Sequence, residues 1–244
     1  MGVLSGSMTI VTGGGQGIGR SIAIGYANEG AKVLIVSRTQ SDLESVTSYI
    51  QDGGGEAQGI AADVSSESDV QRIVKCAIEV WGRIDVLVNN AGIPGPSGNI
   101  HELDVNDVRG TIETNLYGPF LCSRAVVPYM MEQGGGNIIN VSSGAGQRKS
   151  RDIVRSLPYQ MSKFGLEGLT NGLAVQLQSS KINVNSLLPG PVATRLHRDT
   201  KAEVMASVGS RFREPEDVVP AAIFLAIQPA GEFTDQIVEA GEFL

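Results

Sequence analysis

An α/β fold built on a doubly wound parallel sheet is what this sequence predicts, and three observations predict it. Short β-branched and aliphatic runs alternate with longer stretches of helical periodicity. A glycine-rich turn joins the first of those runs to the first helical stretch, and no Pro/Ser linker or repeat divides the chain. Runs that are apolar almost throughout suit strands covered on both faces, which is the condition of a parallel sheet. One domain spanning 1–244 is the economical organisation.

The elements follow in order. "MTIVTG" (8–13) reads as a strand, with a helix over 17–29 and a second strand, "KVLIVS" (32–37), after it. A helix over 40–52 leads to "AQGIAA" (57–62), and one over 67–81 leads to "IDVLVNNAG" (84–92). A long helix over 104–132 precedes "GNIINVSS" (136–143), and one over 158–179 precedes "INVNSLLPG" (182–190). A helix over 215–227 and a short strand, "DQIVEA" (235–240), complete the set. Such sheets bind ligands beyond the carboxyl ends of their strands. That rule selects 12–19, 37–39, 63–64, 89–95, 142–158 and 189–213.

Composition narrows the partners. A net charge of −7 argues against general affinity for nucleic acid or an anionic membrane. No run approaches the roughly 18 apolar residues of a membrane span, and the N-terminus shows no charged start followed by an apolar core. Cys76 and Cys122 both fall in predicted helices, which suggests buried thiols in a reducing compartment. His101 and His197 with no Cys cluster offer no metal-ligand set. A cytoplasmic protein is expected.

"TGGGQGIGR" (12–20) carries the first chemical signal. Glycines at 13, 17 and 19 let the backbone turn tightly and approach a pyrophosphate, while the opening helix offers free N–H groups and its positive dipole end. Gly13, Gly15, Gln16, Gly17, Ile18 and Gly19 are therefore candidate cofactor contacts, although a turn that merely packs would look similar. The second strand ends in Ser37 and Arg38, where an NAD site usually places an acid for the ribose hydroxyls. A guanidinium there can fork onto a 2′-phosphate, which favours NADP(H) and leaves NAD(H) as the competitor. Asp63, with Val64 after it, could accept from an adenine amino group or could cap the next turn. In "NNAG", Asn90 and Gly92 put small backbone beside the cofactor, unless the asparagines only tie strands together.

The glycine turn, Asn89-Asn90-Ala91-Gly92, "ETNLYG" with Asn115, "NVSS", Tyr159-x-x-x-Lys163 and "PGPVAT" (189–194) occur in that order. Together they resemble the short-chain dehydrogenase/reductase family over essentially the whole chain, and the resemblance implies a Rossmann-like fold. It also implies Tyr159 as acid/base, Lys163 as its partner, Ser143 orienting a carbonyl oxygen, and Asn115 holding a water in a proton relay. Thr194 would hold the nicotinamide carboxamide, with Val192 beside the ring. Residue chemistry agrees: an unperturbed tyrosine ionises near pH ~10, and an ammonium one helical turn away favours the phenolate and should lower that value. Ser143 rather than Ser142 is chosen because the family's serine directly precedes a short small-residue stretch, here "GAG" (144–146). Strand alternation would let only one of the two face the substrate.

The chain departs from the family in two places. The interval from Ser143 to Tyr159 is longer than usual, and the excess, 148–156, carries Arg148, Lys149, Arg151 and Arg155. A lid expected at about 190–213 adds Arg195, Arg198, Lys201, Arg211 and Arg213, so these stretches hold nine of the chain's 19 Lys and Arg. They would steer an anionic substrate, or else they are solvated or pair across a subunit interface. Near the C-terminus "FTDQIVEAGEFL" stands where many relatives have Thr-Gly.

The expected activity is NADP(H)-dependent interconversion of a ketone, either 3-oxoacyl or small carbonyl, and a secondary alcohol. An NAD(H)-dependent alcohol or polyol dehydrogenase is the alternative within the family, and a non-catalytic dinucleotide-binding sensor or scaffold the alternative outside it. The long helices at 104–132 and 158–179 resemble those that pair subunits, which implies a homotetramer or homodimer.

Overall fold

The computed structural model describes residues 2–147, 156–192, 194 and 213–243. Seven parallel strands form one sheet in the order β3-β2-β1-β4-β5-β6-β7. They are β1 (Met8–Thr12), β2 (Lys32–Ser37), β3 (Glu56–Ala61), β4 (Val86–Asn89), β5 (Gly136–Val141), β6 (Ile182–Leu188) and β7 (Ile237–Glu239). The chain winds outward from β1 to β3, returns to place β4 on the other side of β1, and winds outward again. The order therefore reverses between β1 and β4, and the crevice at their carboxyl ends is the place for a ligand.

Helices α1 (Gly17–Asn28), α2 (Gln40–Asp52), α3 (Glu67–Trp81), α4 (Val105–Ile112), α5 (Gly118–Glu132), α6 (Leu157–Leu177) and α7 (Val219–Ala226) cover the two faces. One apolar layer joins Val11, Ile35 and Val88 of the sheet to Ile22 and Tyr26 of α1 and Leu225 of α7. The other joins Ile10, Leu34, Leu87 and Ile138 to Ile73 of α3 and Val126 of α5. Burial on both faces is why these strands show no polar alternation. Local chemistry sets the boundaries. Ser66 caps α3 by accepting from Asp69 N–H, and Gly82 ends that helix at φ 73°. Asp104 caps α4 by accepting from the N–H groups of Asn106 and Asp107.

Two sequence expectations change at this level. Pairing stops short of the ends expected in the strands, Ala91-Gly92, Ser142-Ser143 and Pro189-Gly190: β4 ends at Asn89, β5 at Val141 and β6 at Leu188. The residues just beyond are thereby released into the crevice. The single helix expected over 104–132 is broken by a π-helical turn, Glu113–Tyr117. Pro119 has no N–H to return to the carbonyl four residues earlier, that of Asn115, which weakens a regular α-helix at this point.

Asp235 takes the left-handed conformation, φ 59°, and accepts a hydrogen bond from Asn171 Nδ2 at 2.9 Å. Buried asparagines on β5 and β6 secure the loop before β7: Asn137 and Asn183 donate to the carbonyls of Ala226 and Pro229, and Asn185 donates to that of Phe233.

Candidate active site

The groove begins at the glycine turn. Gly13 has φ 64° and Gly17 φ 52°, conformations that favour glycine. Helix α1 opens at Gly17 with no acid in its first turn, so its free N–H groups face an uncharged opening. The turn is braced from behind. The Thr12 hydroxyl donates to Val88 O at 3.1 Å and accepts from the N–H groups of Asn90 and Ala91. Asn90 Nδ2 donates to the carbonyls of Thr12 at 2.9 Å and Gly13 at 3.2 Å. A Cβ at Gly19 would strike that same amide, so this glycine serves packing. At Gly17 a Cβ would instead project toward Thr194 Cγ2, 3.3 Å away across the groove.

The asparagines of "NNAG" thus act as braces, while the backbone of Asn90, Ala91 and Gly92 lines the groove. Asn89 Nδ2 donates to Asn140 Oδ1 at 2.9 Å, tying β4 to β5. Thr12, which sequence reasoning left out of the candidate set, is the hub of these contacts. Its signal was a hydroxyl residue at the last position of a strand that opens a glycine turn.

Toward β2 and β3 the groove continues past Gln16, Ser37, Arg38, Asp63 and Val64. Gly15 fits closely here, since a Cβ would lie 3.0 Å from Ser37 Oγ. Of the two roles the sequence allowed Asp63, the structure shows the cap. Its Oδ1 caps the following turn by accepting from Ser65 N–H at 2.9 Å and Ser65 Oγ at 2.7 Å. Its Oδ2 lies 3.9 Å from Arg38 Nη1, and both side chains remain well exposed.

In the other direction the groove is lined by Ile18, Val141, Ser142, Ser143, Tyr159, Lys163, Pro189, Val192 and Thr194. Ser156 caps α6 by accepting from Tyr159 N–H at 3.3 Å, which fixes the tyrosine in the first turn. Lys163 follows one turn later on the same face, its Nζ 5.7 Å from the Tyr159 ring centroid. The ammonium donates to Val141 O, at the end of β5, at 2.7 Å. Both serines line the groove, against the alternation argument, because β5 ends at Val141 and the chain turns there. Their hydroxyls differ. Ser143 caps the short turn Gly144–Gly146 and opposes the rise of the Tyr159 phenol, whereas the Ser142 hydroxyl is buried without a partner.

Burial dominates the electrostatics. It raises the Tyr159 phenol above the ordinary tyrosine value, against an opposing contribution from the Ser143 hydrogen bond. The expected lowering by Lys163 does not prevail, because removing the phenolate from water costs more than its neighbours return. Burial likewise lowers Lys163, to about 8, against the opposing charge of Glu167.

Asn115 is fully buried in the π-turn with its amide consumed. It accepts from Ile93 N–H at 2.8 Å and donates to Ile93 O and to Ser162 Oγ. Arg213, counted with the lid cations, is also engaged. Its backbone pairs with Pro191, its guanidinium donates to Pro189 O at 2.9 Å, and it braces the turn that carries Val192. Arg148, Lys149, Arg151, Arg155, Arg195, Arg198, Lys201 and Arg211 lie outside the described residues. Cys122 is buried as expected, but Cys76 is only partly so, and both are free thiols.

The comparisons agree with this geometry. The family model for short chain dehydrogenase matches residues 7–204. An uncharacterized oxidoreductase of Thermotoga maritima is 38% identical, covering 96% of this chain and 95% of that protein. A 7α-hydroxysteroid dehydrogenase solved with NADH and 7-oxo glycochenodeoxycholic acid superimposes with a TM-score of 0.89 at 32% identity, over 97% of this chain and 93% of that one. A metagenomic short-chain oxidoreductase in complex with NADP gives a TM-score of 0.82 at 32% identity, over 97% and 98%. The chain belongs to the short-chain dehydrogenase family and is an NAD(P)-dependent oxidoreductase.

Proposed function

We propose that the protein interconverts a ketone and a secondary alcohol with NADP(H), using Tyr159 as the acid/base group. The observation that carries this reading is convergence. Ser143, Tyr159 and Lys163 meet in a groove whose opposite wall is the glycine turn. The cofactor fits that wall, because at Gly17 a side chain would project into the space facing Thr194 and glycine leaves it open. Gly13, Gly15, Gln16, Gly17, Ile18, Asn90, Gly92, Val192 and Thr194 would hold the dinucleotide, with Ser37, Arg38, Asp63 and Val64 at its adenosine end. When bound, the nicotinamide supplies or accepts the hydride.

The chain's own residues handle the proton. Ser143 donates a hydrogen bond that orients the carbonyl oxygen. Tyr159, kept protonated by its burial, delivers its proton there, which suits reduction near neutral pH. Lys163 supports the phenolate left behind and holds the cofactor ribose. The Asn115 carbonyl, which has no α-helical donor, anchors a water that links this site to solvent.

Arg38 is the basis for NADP(H), its exposed guanidinium standing where a 2′-phosphate would be read. One contact favours NAD(H) instead: Asp63 already faces Arg38 and draws on its charge. We place the substrate among 3-oxoacyl or small carbonyl compounds, with anionic ones favoured by the cations of 148–155 and of a lid at about 190–213. Exposed apolar side chains on α5 and α6, including the stacked Tyr117–Phe120 pair, Met161 and Phe164, support pairing into a homodimer or homotetramer. Free thiols suit the reducing cytoplasm. Among the described residues no helix is long and apolar enough to cross a membrane.

The test is a panel of acidic and neutral ketones and alcohols, run with NADPH and NADH and followed by the absorbance of the reduced nicotinamide. Turnover of ketones with NADPH well above NADH supports the reading. Absence of turnover across the panel in both directions rejects it.

A further inference from the structure

Helix α6 spans 21 residues and contains two charged side chains, Lys163 and Glu167. They stand four apart, on one face, one turn from each other. Lys163 is 5% exposed and its ammonium makes a single hydrogen bond, to Val141 O. Among the described residues lining its groove, from the glycine turn, the Asn90–Gly92 segment, the end of β5 and the Pro189–Thr194 segment, only Tyr159, on α6 itself, is titratable besides the lysine.

Glu167 is partly buried beside it. Its Oε2 accepts from Ser186 Oγ of β6 at 3.0 Å, and its Oε1 is buried with no partner. The turn after Ser143 closes over both residues, since a Cβ at Gly146 would lie 2.9 Å from Lys163 O and 3.3 Å from Glu167 Cγ. With one oxygen buried and the ammonium beneath the groove, the carboxylate acts on the lysine through space screened less than bulk water. A helix that merely packed on the sheet would have no use for a half-satisfied carboxylate here, because an apolar side chain would avoid its desolvation cost.

We infer that Glu167 is a positioning residue of the proton-transfer site, whose carboxylate keeps the Lys163 ammonium charged beneath the cofactor groove. The charge of Glu167 opposes the burial that drives Lys163 toward its neutral form. Without it, Lys163 gives up its proton at lower pH, and both the ribose contact and the support of the Tyr159 phenolate weaken there. This inference rests on the dinucleotide and Tyr159 roles proposed above.

The experiment compares wild type with Glu167→Gln, which keeps the shape and can still accept from Ser186. NADPH and NADH dissociation constants are measured between pH 7 and 10 from cofactor fluorescence, a readout independent of turnover. NADH removes the 2′-phosphate's own titration, which lies near pH ~6. Wild-type affinity should fall as pH rises through about 8, where Lys163 deprotonates. In Glu167→Gln that fall should come about one pH unit lower, as expected for loss of a neighbouring opposite charge. Glu167→Asp, which retains the carboxylate, should move the profile back toward wild type. The inference is overturned if the Gln profile superimposes on that of wild type, or if the Asp profile coincides with that of Gln. It is overturned equally if Gln lowers affinity by the same factor at every pH, the pattern of a purely structural role. A wild-type protein that binds the cofactor with this profile but turns over no ketone or alcohol rejects the proposed reaction instead.

Discussion

The two ends of the groove hold their ligand by opposite means. At the nucleotide end the working surface is backbone, braced from behind by Thr12 and Asn90, and its charges are the exposed Arg38 and Asp63. At the chemical end the working groups are side chains, Ser143, Tyr159 and Lys163, and burial displaces the ionisation of the last two. Water screens the first end and reaches the second less, since Lys163 is buried and Ser143 and Tyr159 are partly so. A charge at the nucleotide end can therefore select between cofactors at modest cost, whereas a proton at the chemical end is governed by a few enclosed neighbours. Changes at the chemical end should alter rate, and changes at the nucleotide end should alter cofactor choice.

The largest expected effect is at Tyr159. Tyr159→Phe removes the phenolic proton and leaves the ring in its partly buried seat, so turnover should fall by about 10³-fold or more. NADPH affinity should stay within a few-fold of wild type, measured by fluorescence titration. Retention of more than a tenth of the activity would mean that the proton comes from elsewhere. Ser143→Ala should come next, about 10²-fold lower in kcat, because one donor to the reacting oxygen is lost.

The contrast between the ends also explains what could be read in advance. Apolar runs, a glycine turn and tyrosine–lysine spacing are local patterns, and each lands where the sequence places it. What escaped is set by contacts far apart in the chain. For Asn90 the sequence left two roles open, backbone beside the cofactor or a tie between strands, and only the neighbouring strands show that its amide makes the tie, to Thr12 and Gly13, because β4 lies beside β1. The resemblance gave Asn115 a water without saying through which atom, and the amide clamps Ile93, which leaves the backbone carbonyl for that role. The net balance at Tyr159 depends on desolvation, which no spacing rule reports. Glu167 did leave a local trace, an acid one turn after the lysine in an otherwise uncharged helix.

At the nucleotide end, Arg38→Ala should weaken NADPH by about ten- to a hundredfold, the range expected for losing charge-assisted contacts to a phosphate. NADH affinity should change little, since Arg38 is exposed and its bond to Asp63 is long. Equal losses for the two cofactors, measured by titration, would remove Arg38 as the residue that reads the 2′-phosphate.

A smaller effect appears as pH-dependent stability. In the folded protein Lys163 releases its proton near 8, against an ordinary value of 10.5 in the unfolded chain. Between those values the unfolded state binds more protons, so the lysine contributes stability that increases with pH. Tyr159 works in the opposite sense, because its raised value lets the unfolded phenol ionise first above pH 10. From pH 8 to 10, wild type should therefore gain stability relative to Lys163→Met, read as a rising difference in denaturant midpoint. A flat difference would mean that Lys163 is not desolvated.

The smallest expected effect separates two adjacent hydroxyls at the chemical end. Ser142 and Ser143 both line the groove, but the Ser142 hydroxyl is buried and unpartnered. Removing such a group takes away a desolvation cost and breaks no protein hydrogen bond, so Ser142→Ala should be neutral or slightly stabilising, within about 0.5 kcal/mol. Turnover should remain within a few-fold of wild type, in contrast to Ser143→Ala. If Ser142→Ala lost activity as severely as Ser143→Ala, the substrate oxygen would have to contact both hydroxyls. The orphaned group would then be a substrate contact, and the chemical end would depend on one more side chain than its hydrogen bonds reveal.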